Sequence, residues 1–364
     1  MSVLGRAEAI TWRAGQLHET SLVALARPRR CGSSQVTEWL TRRVLLAGST
    51  AAFIGCTLPR FGRERVLKGI RVGKQSGAVD IALLRDGRHA VSADRTVQGA
   101  INFWDLSARR IERSFSTGRR VWSFAVDEDR GVLAVASWET AGRSFVGLFD
   151  LATGRQLRQL DGGRSFDGVH CLLVAREGLL TSFVDRGQRL ESALWSFETG
   201  RQLAWFGRPA EAIAVDRRTI LGGPVIWDLI DGRTRGELRL GTTIWGCAIS
   251  ADGRRAVSDR GTRGILWNDR GEVVDTFDDQ PMTTVCAAFS PDDRFLITAR
   301  YPESFRGDGR LLVLRDARTG RLLAELPGHA RVVKGIAFSR DGSLAVSAGL
   351  NGELMLWTMP SEKL

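Results

Sequence analysis

Gly328-His329 opens the stretch that decides the fold. It runs on through Ile336-Ala337-Phe338-Ser339, the turn Arg340-Asp341-Gly342, and Leu344-Ala345-Val346-Ser347. A second turn from Gly349 to Gly352 then leads into Leu354-Met355-Leu356-Trp357. Three apolar runs are separated by Asp-Gly and Asn-Gly signals, which supply the positive φ that tight hairpins need. The stretch reads as three antiparallel strands.

The same frame extends upstream. The first turn recurs at Asp86-Gly87, Asp252-Gly253 and Asp292-Asp293, and more loosely at Asp129, Glu177 and Asp216. Third strands end at Trp104-Asp105, Phe149-Asp150, Trp195-Ser196, Trp227-Asp228, Trp267-Asn268, Arg315-Asp316 and Trp357-Thr358, at spacings of 45, 46, 32, 40, 48 and 42 residues. A Gly-Arg turn follows most of them, as at Thr153-Gly154-Arg155 and Thr319-Gly320-Arg321, and then a fourth apolar strand. A repeat near 40 residues with four short strands per unit predicts an all-β propeller. Seven units give seven four-stranded antiparallel blades.

At these residues the chain resembles the WD-repeat (WD40) family over about residues 66 to 360. The resemblance implies a ring closed by an N-terminal strand, for which Arg65 to Val72 alternates suitably. Closure removes free sheet edges, which otherwise invite aggregation. The sequence departs from the family pattern in places. Gly-His occurs in the last unit alone, Arg315 stands where Trp is usual, and unit four is too short for a full second hairpin. The family's buried His-Ser-Asp-Trp network is therefore expected in few blades.

Composition excludes several chemistries. The 364 residues carry a net charge of +11, yet four of the 52 basic residues are Lys and the Arg are scattered among 41 acids. The repeats contain no basic run, so no nucleic-acid partner is expected. Five cysteines (Cys31, Cys56, Cys171, Cys247, Cys286) include no C-x-x-C pair. Cys171, Cys247 and Cys286 read as small core hydrophobes. His18, His89, His170 and His329 lack metal-ligand spacing. No nucleophile elbow or phosphate-cradling loop is present. Neither catalytic residues nor a cofactor or metal site is expected. The paired acids Asp278-Asp279 and Asp292-Asp293 fall at turns, where Asp bonds locally.

Residues 1–60 do not follow the repeat, which divides the chain into a leader and a propeller over 61–364. Arg42-Arg43 precede an uncharged stretch of 16 residues, Val44 to Pro59. That is shorter than the roughly 20 residues of a membrane span and fits the apolar core of an export signal. Segment 36–56 resembles a bacterial twin-arginine signal. Phe53-Ile54-Gly55-Cys56 resembles a lipobox, which would make Cys56 the acylated first residue of a membrane-anchored lipoprotein. The position is late, and Val36 as the true initiator is one account. An organellar presequence and an uncleaved cytoplasmic leader are the alternatives.

Aligning the units gives one equivalent position near the start of each first strand: Val79, Trp122, Val169, Glu211, Trp245, Val285 and Lys334. In WD-repeat proteins this region often meets partners. Trp122, Glu211, Trp245 and Lys334 form the candidate contact set, since Trp is enriched at binding hot spots. The alternative is that both Trp plug the channel or pack between blades. Trp138 and Tyr301, on longer second hairpins, complete the candidates. The expected protein is a monomeric, non-enzymatic scaffold for a protein or peptide, exported to or anchored at the cell envelope. A propeller subunit of an envelope enzyme or redox system and a cytoplasmic scaffold stand as alternatives.

Overall fold

The computed structural model describes residues 65–361 apart from 95, 139–143, 161–167, 185–189, 239–244, 260–263, 278–283 and 301–311. The chain divides into two compact units, Met1–Arg60 and Phe61–Leu364. Arg42, Arg43 and Cys56 fall in the first, outside the described residues.

The second unit begins with β1 (Arg65–Val66) and β2 (Ile70–Lys74). Blade one is β3 (Ala78–Leu83), β4 (His89–Asp94), β5 (Ala100–Asp105) and β6 (Arg110–Ser116). Blade two is β7 (Arg120–Asp127), β8 (Val132–Trp138), β9 (Ser144–Asp150) and β10 (Gln156–Gln159). Blade three is β11 (Gly168–Val174), β12 (Leu179–Val184), β13 (Leu190–Trp195) and β14 (Gln202–Phe206). Blade four is β15 (Ala212–Ile213), β16 (Thr219–Gly222), β17 (Val225–Asp228) and β18 (Thr234–Glu237). Blade five is β19 (Trp245–Ile249), β20 (Arg255–Asp259), β21 (Gly264–Asn268) and β22 (Val273–Thr276). Blade six is β23 (Thr284–Phe289), β24 (Phe295–Arg300), β25 (Leu312–Asp316) and β26 (Leu322–Leu326). Blade seven has β27 (Val333–Phe338), β28 (Leu344–Gly349) and β29 (Glu353–Thr358). Its fourth strand is β2, antiparallel to β29. The seven first strands touch in cyclic order, and β27 against β3 closes the ring.

Two expectations change in detail. The segment from Arg65 to Val72 is not one strand. β1 lies parallel on β26 as a fifth strand of blade six, and β2 completes blade seven. Gly69 marks the switch, since a Cβ there would meet the Trp357 ring at 2.5 Å. Blade four does have its second hairpin. β16 and β17 pair from Thr219↔Asp228 to Gly222↔Val225 across a two-residue turn, with Gly223 at φ 58°.

Glycine or a substitute takes a positive φ in most of the tight turns. Gly87, Gly253 and Gly342 take it between first and second strands, and Asp293 (φ 55°) does so in blade six. Strand order then places the first-to-second and third-to-fourth turns at one end of the ring. The second-to-third hairpins and the links between blades lie at the other.

The core lies within and between blades. Trp104, Trp195, Trp227, Trp267 and Trp357 are all buried at the end of a third strand. A buried indole N–H needs an acceptor. In the odd-numbered blades a hydroxyl on the second strand provides it: Ser92 (2.8 Å), Thr181 (2.9 Å), Ser258 (2.7 Å) and Ser347 (2.8 Å). The even-numbered blades solve the position differently. Blade two puts Phe149 and Val135 there, both apolar and buried. In blade four Gly222 replaces the hydroxyl and Trp227 Nε1 donates to the Pro209 carbonyl at 3.3 Å. Blade six uses Arg315. His329, which is buried, joins the network in blade seven with Nε2 at 2.7 Å from Ser347 Oγ.

Candidate protein-binding mouth of the ring

At the end carrying the links between blades, six first strands contain a β-bulge. The residue that the pairing register skips is Val79, Trp122, His170, Cys247, Val285 or Lys334. β15 of blade four pairs without a shift. A bulge re-aims one side chain while the strand stays in its sheet. Val121 and Ser123 are buried, yet Trp122 between them is half-buried. Val333 and Gly335 are buried, yet Lys334 between them is exposed. The irregularity therefore turns one indole and one ammonium out of a strand that is otherwise interior.

This register corrects the aligned frame in two blades. In blade three the skipped residue is His170, and Val169 is buried in the apolar core. The bulge there opens one residue later, so Val169 keeps its partner Phe183. In blade five it is Cys247, while Trp245 is the first residue of β19, paired with Asp259. The side chains of His170, Trp245 and Cys247 lie outside the described residues. So do the Trp138 side chain and all of Tyr301. The backbone of Trp138 pairs with Arg120, two residues from Trp122. Glu211 is half-buried, and its Oε2 accepts the Gly223 N–H at 3.0 Å, capping the blade-four hairpin.

One residue beyond the bulge, Asp80, Cys171 and Cys286 share a register position in blades one, three and six. The Asp80 charge acts on both thiols. Burial pushes Cys171 and Cys286 up to about 12, with Asp80 adding to the rise. Lys334 acts on Cys286 in the opposite sense, and Glu211 raises Cys171 further. Burial also lifts the Asp80 carboxyl to about 7, although its Oδ1 accepts the Ile81 N–H at 2.8 Å. The two cysteines are half-buried, and Cys286 packs against the apolar core shared by blades six and seven. Asp80 was missed in the alignment. Its signal was an acid inside the apolar run Ala78-Val79-Asp80-Ile81-Ala82-Leu83.

The mouth thus brings together a half-buried indole, an exposed ammonium and a carboxyl raised by burial. These suit recognition of a peptide's mixed polar and apolar groups. Among the described residues no group of three or more His, Cys, Asp and Glu could hold a metal ion.

Residues 320–358 match the WD domain, G-beta repeat family. The match covers the end of blade six and nearly all of blade seven, where the Gly-His and Trp signals are complete. A stretch of 107 residues is 28% identical to the meiotic recombination protein rec14 of Schizosaccharomyces pombe, covering 29% of this chain and 33% of that protein. Another of 113 residues is 26% identical to TOPLESS-RELATED PROTEIN 2 of Oryza sativa subsp. japonica, covering 31% of this chain and 9% of that protein. The chain thus spans a third or less of the curated relatives it matches. The seven-bladed propeller accounts for the recurring turn and strand signals.

Proposed function

We propose that this WD-repeat propeller is a non-enzymatic scaffold that binds a protein or peptide at the mouth carrying Trp122 and Lys334, and that it works at the bacterial cell envelope. The observation that carries the binding role is the pair of bulges that turn Trp122 and Lys334 out between buried neighbours. Strand irregularities that cost ladder hydrogen bonds are common where a side chain must be re-aimed for function. An indole supplies a large contact area at low conformational cost, which is why it recurs at hot spots. The envelope role rests on Arg42-Arg43, the uncharged stretch after them, and Cys56.

Replacing Trp122 and Trp245 together with Ala tests the contact set. Partner capture from native cells is expected to fall while the circular dichroism of the ring is kept. Undiminished capture by the double variant rejects the mouth. The intact mass of the mature protein tests the location. A chain beginning at Cys56 with acyl groups supports envelope anchoring, and a chain beginning at Met1 or Val36 rejects cleaved export.

A further inference from the structure

A second polar concavity lies at the opposite end of the ring. A cavity of about 270 Å³ opens between blades five and six, beside the first-to-second turn of blade six. Its walls hold aspartates and arginines in equal number, so charge counting alone says little. Hydrogen-bond accounting decides which groups remain available to a ligand.

The carboxylates are all engaged. Asp292 takes the Ser290 hydroxyl at 2.6 Å, the Arg294 backbone N–H at 3.1 Å and the Arg294 Nε. Asp293 takes the Ala251 and Asp252 backbone N–H groups of blade five at 2.6 and 2.9 Å. Asp316 takes the Arg318 and Thr319 N–H groups and the Thr319 hydroxyl, each at 2.9 Å. Arg294 is engaged too, through Asp292 and through Nη1 to the Ser361 carbonyl at 3.1 Å.

Two cations form no side-chain hydrogen bond or ion pair among the described residues, although the Arg255 charge acts on Asp293. Arg255 Nε is buried and has no hydrogen-bond partner. The Arg318 side chain is exposed and forms no ion pair among the described residues. Both guanidinium groups line the cavity without an ion pair among the described residues, so a ligand that brings acceptor oxygens can use them. Burial raises the Asp293 carboxyl above the usual range, despite its two N–H donors. Phe295, which is buried, and Leu323 supply the apolar part of the lining.

We propose that this cavity receives the carboxylate of a Glu or Asp side chain in a partner peptide, gripped by Arg255 and Arg318, with an apolar neighbour of that residue against Leu323. Guanidinium matches carboxylate in geometry and binds it through strong charge-assisted bonds. The cavity has room for one side chain rather than a folded element, so the partner presents a short extended acidic segment. This surface is separate from the mouth and does not depend on it.

The test uses the full chain and two fluorescein-labelled peptides, Gly-Leu-Glu-Leu-Gly and its Gln counterpart, read by fluorescence polarisation. Saturable binding of the Glu peptide is expected, with the Gln peptide at least tenfold weaker. Arg255→Gln with Arg318→Gln should weaken the Glu peptide tenfold or more. Arg233→Gln with Arg270→Gln, exposed turn positions elsewhere, should leave it within twofold. Trp122→Ala should also leave it unchanged, so failure at the mouth and failure here are told apart. The assignment is overturned if the Glu and Gln peptides bind alike, if the Arg233 and Arg270 controls lose as much, or if Trp122→Ala abolishes binding. Inorganic phosphate binding in place of the Glu peptide would overturn it as well. Should Arg255→Gln disturb folding, Arg318→Gln alone carries the test, because that side chain is exposed.

Discussion

Blades six and seven are neighbours that fill one register position with different chemistry. In blade seven Trp357 pairs with Ala345 and reaches the hydroxyl two residues on, Ser347. In blade six Arg315 pairs with Leu296 and approaches the hydroxyl two residues on, Thr298, at 3.4 Å. Arg315 also donates Nη1 to the Gly320 carbonyl at 3.0 Å and lies 4.0 Å from the centre of the Phe277 ring. Both side chains are fully buried. These two blades therefore both place a large planar donor here, stacked on apolar surface, and the indole is one of two ways to supply it.

The largest effect expected from breaking this parallel is in blade seven. Trp357→Ala removes the biggest buried side chain of its cluster and should cost about 3–5 kcal/mol. Denaturant unfolding measures it, and a loss below about 1 kcal/mol would show that the ring does not rely on this indole. Ser347→Ala should cost about 2 kcal/mol, because it leaves Trp357 Nε1 and His329 Nε2 facing no partner in the interior. Arg315→Met should cost about 1 kcal/mol, since the lost bonds are partly offset by relief of a buried charge. If Arg315→Met matches Trp357→Ala, the two side chains do the same structural work. If it is neutral, blade six tolerates a wholly apolar filling, as blade two does with Phe149 and Val135.

The smallest effects lie in the pH profile, and there the two blades separate. Burial holds His329 down at about 4, against the ordinary 6.5. Between those values the unfolded chain binds a proton that the folded chain refuses, so stability falls as pH drops through that window. An arginine keeps its charge throughout, so the same position in blade six contributes no such slope. Asp80 at the mouth acts in the opposite sense. Its carboxyl, lifted from 3.8 to about 7, keeps a proton in the folded state that the unfolded state releases, so stability falls as pH rises from 3.8 to 7. The wild-type profile is therefore expected to be shallow between pH 4 and 6.5. His329→Gln should leave stability falling with rising pH, and Asp80→Asn should leave it rising. Thermal melts of the two variants in a pH series check both signs, and parallel profiles would refute the assignment.

The repeat was legible because turn chemistry and strand ends are local. Asp-Gly turns, Gly-Arg turns and terminal aromatic residues each mark a fixed place in a blade, and all seven third strands end where those residues predict. The split of the N-terminal segment was not legible. Alternation in Arg65 to Val72 is equally compatible with one strand or two. What divides it is tertiary: Gly69 against Trp357, and Gly73, where a Cβ would meet Trp104 at 2.4 Å. The mouth was half legible for a similar reason. The frame found Trp122 and Lys334 but slipped at Val169 and Trp245, because a bulge adds a residue without leaving a mark in the hydrophobic pattern. Asp80 was visible as an acid in an apolar run, though its burial and its influence on Cys171 and Cys286 arise only when the blades close. The unpaired Arg255 was hidden among many turn arginines.

The two short strands at the start of the propeller also set how the ring bears mechanical load. β1 lies along the outer edge of blade six, and β2 along the outer edge of blade seven, so one stretch of chain laces the junction between them. A pull on the chain at Arg65 first peels two residues from β26, then loads the pairing from Ile70↔Leu356 to Lys74↔Glu353 in shear. The lacing concentrates tension at one seam and leaves the other blades unstressed. Under force blade seven would lose its outer strand β2 before any other blade unravels.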